Sequence, residues 1–518
     1  MNLRFLFALL LTTQVAGAAT WTEKDSELLI SLSNPPDARN LKCPKHWREA
    51  WCTFATNYAS MYLPRRPRPS KNPTKKIRKA PVPFVVSRTS DLQGESFNKL
   101  YDRLLSSRYK KLSTLKPFAD AALKTTACPR FMSLALAHRW EVELPSKDAE
   151  QQISKLYDHA LGCNDYSDIF RVRAGLLEYH FGNKTKALEY LDSALRTEEQ
   201  REGFRALYWA RRIAKEFGKK DLVAKYEDLL FNRFPMSYYT ILVKEEKKID
   251  TLAAFAPKVS ARPNLSTSDS DQMEYVFTEV LKHPRATQKE SKLISYLASK
   301  QLHLIDEDRL LKLAQIMDEK GLHRAKILLL NQQLNTSTAG MTLAWLKELY
   351  PTPYFEQVKE HAKKAHPFMV MGFMRQESGF DPFIESPAGA RGLLQLMPAT
   401  AKWVNGRKKM QSLYNTDFNI KLGSQYVAKN LERFDGALIK AAAAYNGGFG
   451  FVRRWERRYP IKDMQLWADL IPFGETRNYV PSVMVNAYWY QKLYGKMSPD
   501  RLPTSVSELF EFTEAAMK

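Results

Sequence analysis

A long stretch of helical periodicity, from about residue 92 to residue 348, constrains the fold of this chain more than any other feature. Apolar residues recur there at the spacing expected for the buried face of a helix. Gly182 and Gly218 fall between such stretches, where helices end, and Pro235 closes a second pair. The pairs follow each other at roughly 34 residues, which is typical of stacked helical repeats. The pattern predicts a mostly α fold with an N-terminal α-superhelix.

Changes in composition along the 518 residues indicate several domains. We expect a signal peptide at 1–18, a small folded element at 19–62, a basic Pro-rich linker at 63–91, TPR-like helix-pair repeats at 92–348, a compact unit of short helices at 349–498 and a tail helix at 499–518. Stacked repeats form a curved surface, which suits partner binding, substrate gripping or a passive scaffold. The repeats alone do not choose among these roles.

The first residues have the pattern of a secretory signal peptide. Arg4 precedes an apolar run from Phe5 to Leu11, and Ala16-Gly17-Ala18 fits a small-x-small cleavage site. We expect cleavage near Ala18, because the apolar run is too short to span a bilayer comfortably as an uncleaved anchor. No other long apolar segment follows. The mature protein is therefore expected to be soluble and exported, in the periplasm or outside the cell.

All four cysteines lie in the first third of the chain: Cys43, Cys52, Cys128 and Cys163. An oxidising compartment permits disulfides, and the simplest pairing joins Cys43 to Cys52 and Cys128 to Cys163. The other two pairings, and free buried thiols, remain open. The sequence has no CxxC or HExxH pattern, so we expect no metal site and no cofactor.

The chain is strongly basic, with a formal net charge of +23. Such a charge favours acidic surfaces or polyanionic substrates. Export argues against nucleic acid and in favour of a cell-wall polymer with carboxylate-bearing peptides. The segment 64–83 is rich in Pro, Lys and Arg and has no acidic residue, so we interpret it as an extended basic linker. Docking on an anionic surface is the alternative role of this arm.

One carboxylate follows an unusually apolar segment. Phe368–Met374 is apolar throughout, and Arg375-Gln376-Glu377-Ser378 comes next. Gly379 suits the end of this helix, which would put Glu377 on the last turn. Burial and the negative end of the helix dipole both oppose ionisation, so we expect a raised pKa and a general acid. For an isolated residue, a surface Glu at a helix end is the alternative.

A loop of small residues follows Glu377. Residues 386–392 include a Pro and several small residues, which make a tight loop where the backbone approaches a ligand closely. Gln395 lies inside an apolar run, where its amide could donate and accept as sugar recognition requires. A Gln on the exposed face of a short helix fits this segment equally well. Pro398 is expected to start a helix that ends near Trp403.

Two later segments add polar groups. Tyr445 and Asn446 close a helix that Gly447 and Gly448 stop, so they either line a cleft or form a simple C-cap. The segment 471–480 opens the final helix, where Glu475 or Thr476 caps the helix, or Glu475 faces a site. Aromatic residues are plentiful in both segments, and aromatic faces stack on sugar rings, although most of them are expected to pack the core.

Four segments, taken together and in this order, resemble the soluble lytic transglycosylases. They are RQES at 375–378, SPAGARGLLQLMP at 386–398, AYNGG at 444–448 and IPFGETRNYV at 471–480. AYNGG differs from the more usual AYNAG by one small residue. YWAR at 208–211 and the Ser237-Tyr238-Tyr239 run after Pro235 resemble the superhelical domain of that family more loosely.

The resemblance implies a lysozyme-like catalytic domain that cuts peptidoglycan between N-acetylmuramic acid and N-acetylglucosamine. It implies that Glu377 is the sole acid/base and that the product is a 1,6-anhydro sugar. It also implies ligand contacts at matching positions, with Glu475 as a second acid that tunes the site: Ser386, Gln395, Met397, Tyr445, Asn446, Glu475 and Tyr479. The partners would be glycan strands with their peptide stems, and other cell-wall enzymes held by the helical repeats.

Two competing hypotheses remain at the level of sequence. The first is a hydrolytic muramidase on the same fold, with a water held by Asp381, Glu385 or Glu475. The second is a non-catalytic wall-binding scaffold built on the repeats.

Overall fold

The structure is a computed structural model of the chain, which describes residues 42, 112–124, 132–163, 168–197, 201–255, 280–281, 307–336 and 342–495. The predicted signal peptide, N-terminal element, basic linker and tail helix lie outside these residues. So do Cys43, Cys52, Cys128 and the side chain of Cys163, so the disulfide pairing stays a prediction. Within the described residues, no helix is both long and apolar enough to cross a membrane.

The described chain is almost entirely helical, which confirms the predicted fold class. The helices are α1 (Leu112–Lys124), α2 (Met132–Trp140), α3 (Lys147–Cys163), α4 (Asp168–His180), α5 (Lys184–Ala194), α6 (Gly203–Glu216), α7 (Lys220–Arg233), α8 (Tyr238–Glu246), α9 (Glu307–Glu319), α10 (His323–Thr336), α11 (Leu343–Leu349), α12 (Phe355–His361), α13 (Pro367–Ser378), α14 (Pro398–Asn405), α15 (Thr416–Arg433), α16 (Leu438–Gly447), α17 (Phe449–Arg458), α18 (Met464–Asp469) and α19 (Gly474–Tyr494). The extended pairing among the described residues consists of two isolated bridges, Glu385 with Arg391 and Arg391 with Leu396.

The chain divides into two compact units, each built from segments that are distant in the sequence. The first unit comprises residues 1–76, 252–426 and 489–499. The second comprises residues 77–251, 427–488 and 500–518. These compact units are not the domains predicted from the sequence, whose limits stay a prediction.

In the second unit, helix pairs form where the sequence predicted them. Gly182 lies between α4 and α5, and Gly218 lies between α6 and α7, both with positive φ. A side chain at these positions would be strained, whereas glycine adopts this conformation freely. Gly175 has a different function, because a Cβ there would lie 2.8 Å from Cγ of Leu191 on α5. The absence of a side chain at Gly175 allows α4 and α5 to pack closely.

A buried ion pair connects the repeats of the second unit to its C-terminal segment. Arg173 on α4 donates to the carboxylate of Glu141, and the Tyr459 hydroxyl donates to the same carboxylate at 2.8 Å. Burial pushes the pKa of Glu141 upward, but the adjacent Arg173 guanidinium outweighs it and the pKa falls to about 2. The carboxylate is therefore charged throughout the physiological range, and its charge is compensated inside the protein.

A second buried network centres on Asp469, the last residue of α18, which is 1% exposed. Its carboxylate accepts hydrogen bonds from Arg205 Nε at 2.8 Å, Trp209 Nε1 at 2.7 Å, Gln465 Nε2 at 2.9 Å and the Tyr239 hydroxyl at 2.5 Å. Arg205 also pairs with Glu202. Because three of these donors lie on α6 and α8, the network fixes α18 against two helices that precede it by more than two hundred residues.

The first unit has an apolar core around α13. Phe368 stacks on Phe355 of α12 with ring centroids 5.2 Å apart. Tyr490 stacks on the Phe368 ring, and its hydroxyl donates a hydrogen bond to the Pro351 carbonyl oxygen at 2.8 Å. Residues 367–374 are all buried, as predicted from their apolar character. These contacts anchor the helix that carries Glu377.

Candidate active site

Glu377 lies on the last turn of α13, which ends at Gly379 as the sequence predicted and is also capped at its start. Pro367 occupies the first turn, where a missing N–H costs nothing, and the His366 ring accepts from the Phe368 N–H at 3.2 Å. Gly379 ends the helix in the left-handed conformation with φ 58°, and its N–H donates to the Arg375 carbonyl oxygen at 3.1 Å. The Glu377 side chain is half-buried.

Two arginines fix the backbone on either side of Glu377. Arg375 donates to the Leu349 carbonyl oxygen at 3.2 Å, and its guanidinium lies 4.3 Å from the centroid of the Tyr350 ring. Arg324 of α10 donates to the Ser378 carbonyl oxygen at 3.3 Å. The end of α13 is therefore held from two directions. Nothing in the motifs pointed to Arg324, because it lies in a different helix and its role depends on tertiary contact.

Ser386 closes the loop that follows α13. Its hydroxyl accepts from the Ala390 N–H at 3.0 Å, and its own N–H donates to the Ala390 carbonyl oxygen at 2.9 Å. The tight loop predicted at 386–392 is therefore present. The Ser386 side chain is half-buried and stabilises the turn through its bond to the Ala390 N–H.

Gln395 lies in a turn with φ 42°, and not on the face of a short helix. Its side-chain nitrogen donates to the carbonyl oxygens of Ile384 at 3.1 Å and Gly392 at 2.9 Å. Because both amide hydrogens are used within the loop, the side-chain oxygen is the group left for a ligand. The sequence suggested an amide that donates and accepts toward a sugar, and the structure restricts it to accepting.

Asn419 on α15 organises the same loop, and the sequence reasoning missed it. This fully buried amide accepts from the Leu394 N–H at 2.8 Å and donates to the carbonyl oxygens of Arg391 at 3.0 Å and Leu413 at 2.8 Å. Two of these bonds hold the loop itself, and the third joins it to the segment before α15. The one available signal is an amide between the apolar residues Phe418 and Ile420 in a helix.

Gly392 allows Asn419 to approach the loop, and its replacement by Ala is expected to be costly. A Cβ at Gly392 would overlap the Leu413 carbonyl oxygen and the Asn419 amide, and its φ of +76° disfavours any side chain. Overpacking and the left-handed backbone together are expected to lower the free energy of unfolding by about 3 kcal/mol, measured by urea denaturation. Gly389→Ala is the matched control, because Gly389 has φ +88° and a Cβ there would have no atom within 4 Å. Equal losses in both variants would contradict the role of close contact.

Met397 precedes α14, and its side chain is 39% exposed. Pro398 starts that helix as predicted, and the helix continues to Asn405, two residues beyond Trp403. Below Met397, Leu396 and Ala401 pack into a buried cluster with Leu422 of α15. The exposed thioether of Met397 is therefore next to a buried apolar cluster.

In the second unit, Asn446 and Glu475 are in direct contact. The side-chain nitrogen of Asn446, on the last turn of α16, donates to Glu475 Oε1 at 3.2 Å. The Thr476 hydroxyl donates to the Asn446 side-chain oxygen at 2.6 Å. Glu475 is exposed in the first turn of α19, where the positive end of the helix dipole favours a negative charge. Asn446 therefore connects two of the predicted motifs, and it is more than a C-cap.

Tyr445 and Tyr479 occupy the same two helices. Tyr445 is half-buried beside Asn446, and Tyr479 is buried one turn beyond Glu475. A Cβ at Gly447 would lie 3.0 Å from the Thr476 hydroxyl oxygen and 3.0 Å from the Trp455 ring. Gly447, the first Gly of AYNGG, therefore packs closely on α19. An Ala at this position would require its neighbours to shift slightly.

Buried arginines hold the segment that leads to Glu475. Arg477 Nη1 donates to the Ile471 carbonyl oxygen at 3.0 Å, and Arg205 Nη2 donates to Asn478 Oδ1 at 3.2 Å. Burial and the nearby guanidinium groups of Arg173 and Arg205 lower the pKa of Arg477 to about 9. The sequence predicted the segment but gave no sign of these anchors.

The predicted residues thus form two sets. Glu377, Ser386, Gln395 and Met397 follow one another on α13 and the loop after it, in the first unit. Tyr445, Asn446, Glu475 and Tyr479 lie on α16 and α19, in the second unit. The described residues include no group of His, Cys, Asp and Glu side chains suited to a metal ion.

The region that carries these motifs matches two family models and several known proteins. Residues 354–468 match the family model "Transglycosylase SLT domain", and residues 470–499 match "Soluble lytic transglycosylase helical domain". The soluble lytic murein transglycosylase of Escherichia coli K12 is 32% identical over 171 residues, which are 31% of this chain and 26% of that protein. A putative soluble lytic murein transglycosylase of Haemophilus influenzae is 34% identical over 152 residues, which are 28% of this chain and 26% of that protein. The match therefore spans about a quarter of the length of these relatives.

Two solved structures share the fold over nearly the whole chain. The lytic transglycosylase Slt of Pseudomonas aeruginosa has a TM-score of 0.57 at 20% identity, covering 97% of this chain and 76% of that one. The 70 kDa soluble lytic transglycosylase of Escherichia coli has a TM-score of 0.52 at 16% identity, covering 98% of this chain and 86% of that one. At these identities the likeness concerns the fold, and it agrees with the predicted helical repeats and lysozyme-like domain. By motif, family model and fold, the chain resembles the soluble lytic transglycosylases, as its four motifs predicted.

Proposed function

We propose that this protein is a lytic transglycosylase that cleaves the β-1,4 bond between N-acetylmuramic acid and N-acetylglucosamine in peptidoglycan. The observation that carries the proposal is Glu377 at the capped end of a buried helix, within a region that matches a transglycosylase SLT domain. The relatives named as lytic murein transglycosylases support the same chemistry.

Glu377 acts as both the acid and the base in this proposal. Its carboxyl group gives a proton to the glycosidic oxygen as the bond to the muramoyl anomeric carbon breaks. The resulting carboxylate takes the proton of the muramoyl 6-hydroxyl as that oxygen bonds to the anomeric carbon. The proton count on Glu377 is restored, no water is consumed, and the product is a 1,6-anhydro sugar. One carboxylate therefore suffices where ordinary glycosidases need two.

The surroundings of Glu377 suit this double role. Bonds from Arg324 and Arg375 to neighbouring carbonyl oxygens fix the helix end, so the backbone that carries Glu377 is held in place. The side-chain oxygen of Gln395 accepts from a sugar hydroxyl or acetamido N–H, and the exposed Met397 contacts an apolar sugar face. Ser386 supports the loop that carries both residues.

The resemblance to soluble lytic transglycosylases assigns further ligand contacts to the second set of residues. Glu475, oriented by Asn446, is the second acid in this proposal. Tyr445 and Tyr479 are the remaining ligand contacts that the resemblance implies. Glu475 tunes the site without forming a bond to sugar.

Export to the periplasm belongs to the same proposal, because peptidoglycan lies outside the cytoplasm. The predicted signal peptide at 1–18 and the net charge of +23 support it.

Other cell-wall enzymes are proposed as partners of the helical repeats, and a binding study with such enzymes would test this role.

The products of digested sacculi distinguish the proposed reaction from hydrolysis. We expect mass spectrometry to find muropeptides with 1,6-anhydro ends, which are lighter by one water than the products of a muramidase. Digestion in water enriched in oxygen-18 provides the control, since a transglycosylase incorporates no label. Reducing ends that carry the label would replace the proposal with the hydrolytic reaction, and no release of muropeptides would favour a binding scaffold.

A further inference from the structure

The last turn of α14 and the turn that follows it, both in the first unit, are strongly basic. Between positions 392 and 416 the sequence has no acidic residue and four cations, all exposed: Lys402, Arg407, Lys408 and Lys409. The acidic residues on either side interact elsewhere, Glu385 with Arg391 at 3.1 Å and Asp417 with His361 at 2.6 Å. Among the described residues, no acidic side chain pairs with any of the four cations. Their positive charge is therefore uncompensated within this part of the chain.

Asn405, the last residue of α14, orders the turn that carries three of these cations. Its side-chain nitrogen donates to the carbonyl oxygens of Lys408 at 2.9 Å and Lys409 at 3.3 Å, and to the Met410 sulfur at 3.4 Å. These bonds fold residues 406–410 back on the end of the helix. The backbone of the basic turn is therefore fixed, while its charged side chains stay exposed to solvent.

Two large apolar side chains are exposed beside the cations. Trp403 is 48% exposed, the highest value for a large apolar side chain among the described residues, and Met410 is 37% exposed. The Trp403 ring meets the Tyr426 ring edge-on, with centroids 6.2 Å apart. Tyr426 in turn packs against the buried cluster that includes Ala401 and Leu422. The indole is therefore supported from below although it lies at the surface.

Cations beside exposed apolar side chains match the two layers of an anionic membrane surface. Phospholipid headgroups supply negative charge for Lys and Arg, and the boundary between headgroups and acyl chains accepts a Trp ring. A soluble polyanion would bind the cations but would leave the Met410 side chain in water. An uncharged apolar partner would leave the four cations without negative charge nearby. The combination therefore favours lipid over either alternative.

We propose that one surface of the first unit binds the anionic phospholipids of a membrane. This basic–aromatic surface consists of Lys402, Trp403, Arg407, Lys408, Lys409 and Met410. Binding is peripheral and reversible, because only a few side chains enter the headgroup region. The proposal does not depend on the transglycosylase reaction, since none of these residues is assigned to the sugar.

The test measures how the full chain partitions onto vesicles at low salt. We expect the wild type to sediment with vesicles of phosphatidylcholine and phosphatidylglycerol, and much less with phosphatidylcholine alone. The double variant Lys408→Gln/Lys409→Gln is expected to partition about tenfold more weakly, because two charges that attract anionic lipid are lost. Trp403→Ala is expected to weaken partitioning by a similar factor, because the indole no longer enters the interface.

The matched control for the lysines is Lys363→Gln/Lys364→Gln, which removes two consecutive exposed lysines between α12 and α13 of the same unit. Leu343→Ala is the control for Trp403, because Leu343 is also exposed, at 41%. Both controls are expected to partition like the wild type, and unchanged thermal unfolding will verify that every variant is folded. Equal losses in the control and surface variants would overturn the proposal in favour of attraction by net charge. Unchanged partitioning of the surface variants would also overturn it.

Fluorescence quenching by brominated phosphatidylcholine tests whether Trp403 itself reaches the lipid. Trp403 is one of ten tryptophans, and Trp403→Phe keeps an aromatic ring while removing that indole. When brominated phosphatidylcholine replaces the ordinary lipid in the mixed vesicles, we expect part of the wild-type emission to be quenched. The quenched part is expected to be smaller in Trp403→Phe, even though this variant still binds. An equal quenched part would place a different region of the chain at the membrane and overturn the proposal.

Cleavage of isolated sacculi, which contain no phospholipid, separates a membrane surface from a surface for the wall. The Lys408→Gln/Lys409→Gln variant is expected to release muropeptides at the wild-type rate. A lower rate would assign the lysines to the wall polymer and overturn the lipid proposal. If the wild type cleaves no sacculi but binds anionic vesicles through Lys408 and Lys409, the membrane surface stands and the proposed function fails.

Discussion

Replacing Glu377 by Gln is expected to lower the rate of glycan cleavage by a factor of about 1,000 or more. A positioned acid/base commonly contributes a factor of about 10² to 10⁴, and here a single group would serve both proton transfers. Gln has nearly the same shape but cannot transfer a proton in either direction. The measurement is release of soluble muropeptides from sacculi per unit time, with KM determined separately, because the loss is expected in kcat.

Glu356→Gln makes the same chemical change at an exposed Glu of the first unit, where the side chain pairs with Lys359 at 2.8 Å. This control is expected to keep full activity. The thermal unfolding of both variants is expected to resemble that of the wild type, because neither carboxylate is fully buried. Cleavage by Glu377→Gln within tenfold of the wild-type rate would contradict the assignment and direct attention to Asp381, Glu385 and Glu475.

Replacing Asp469 by Ala is expected to lower the free energy of unfolding by about 3–5 kcal/mol, the usual cost of breaking a buried ion pair. The change leaves the Arg205 guanidinium with less compensation inside the protein and removes the acceptor for the indole N–H of Trp209. Gln465 and Tyr239 lose the same acceptor. Urea denaturation at neutral pH, followed by circular dichroism, measures the loss.

Asp228→Ala is the control for this prediction, because Asp228 is an exposed residue of α7 that accepts a bond from Asn232 at 2.8 Å. We expect its effect to stay within about 0.5 kcal/mol, as is usual for surface substitutions. Asp469→Asn retains one acceptor oxygen and is expected to fall between the two variants. An Asp469→Ala protein as stable as the Asp228→Ala protein would mean that the network contributes no net stability.

The elements that sequence predicted well are those set by near neighbours in the chain. The helix that carries Glu377 and ends at Gly379 depends on its apolar character and on local conformational preferences. The stops at Gly182 and Gly218 have the same origin, since each has a positive φ that glycine adopts at little cost.

Gln395 is a position where local reasoning was incomplete. The sequence left open a sugar-binding amide or an exposed helical residue. The residue lies in a turn with φ 42°, which excludes the helical alternative, and sugar binding stays a proposal. Its two bonds to backbone carbonyl oxygens depend on the return of the loop toward Ile384. Hydrophobic periodicity does not predict where a loop folds back on itself, because this depends on the conformation of the whole loop.

By itself, the sequence determined that this protein is mostly helical, that its repeats are helix pairs, and that Glu377 ends a buried helix among motifs resembling those of soluble lytic transglycosylases. Only the tertiary structure decided which polar groups hold the motifs in place. Asp469 meets Arg205 across a separation of 264 residues. Helical periodicity indicates which face of a helix is buried, but it carries no information about which distant helix covers that face, so such pairs emerge only when the chain is folded.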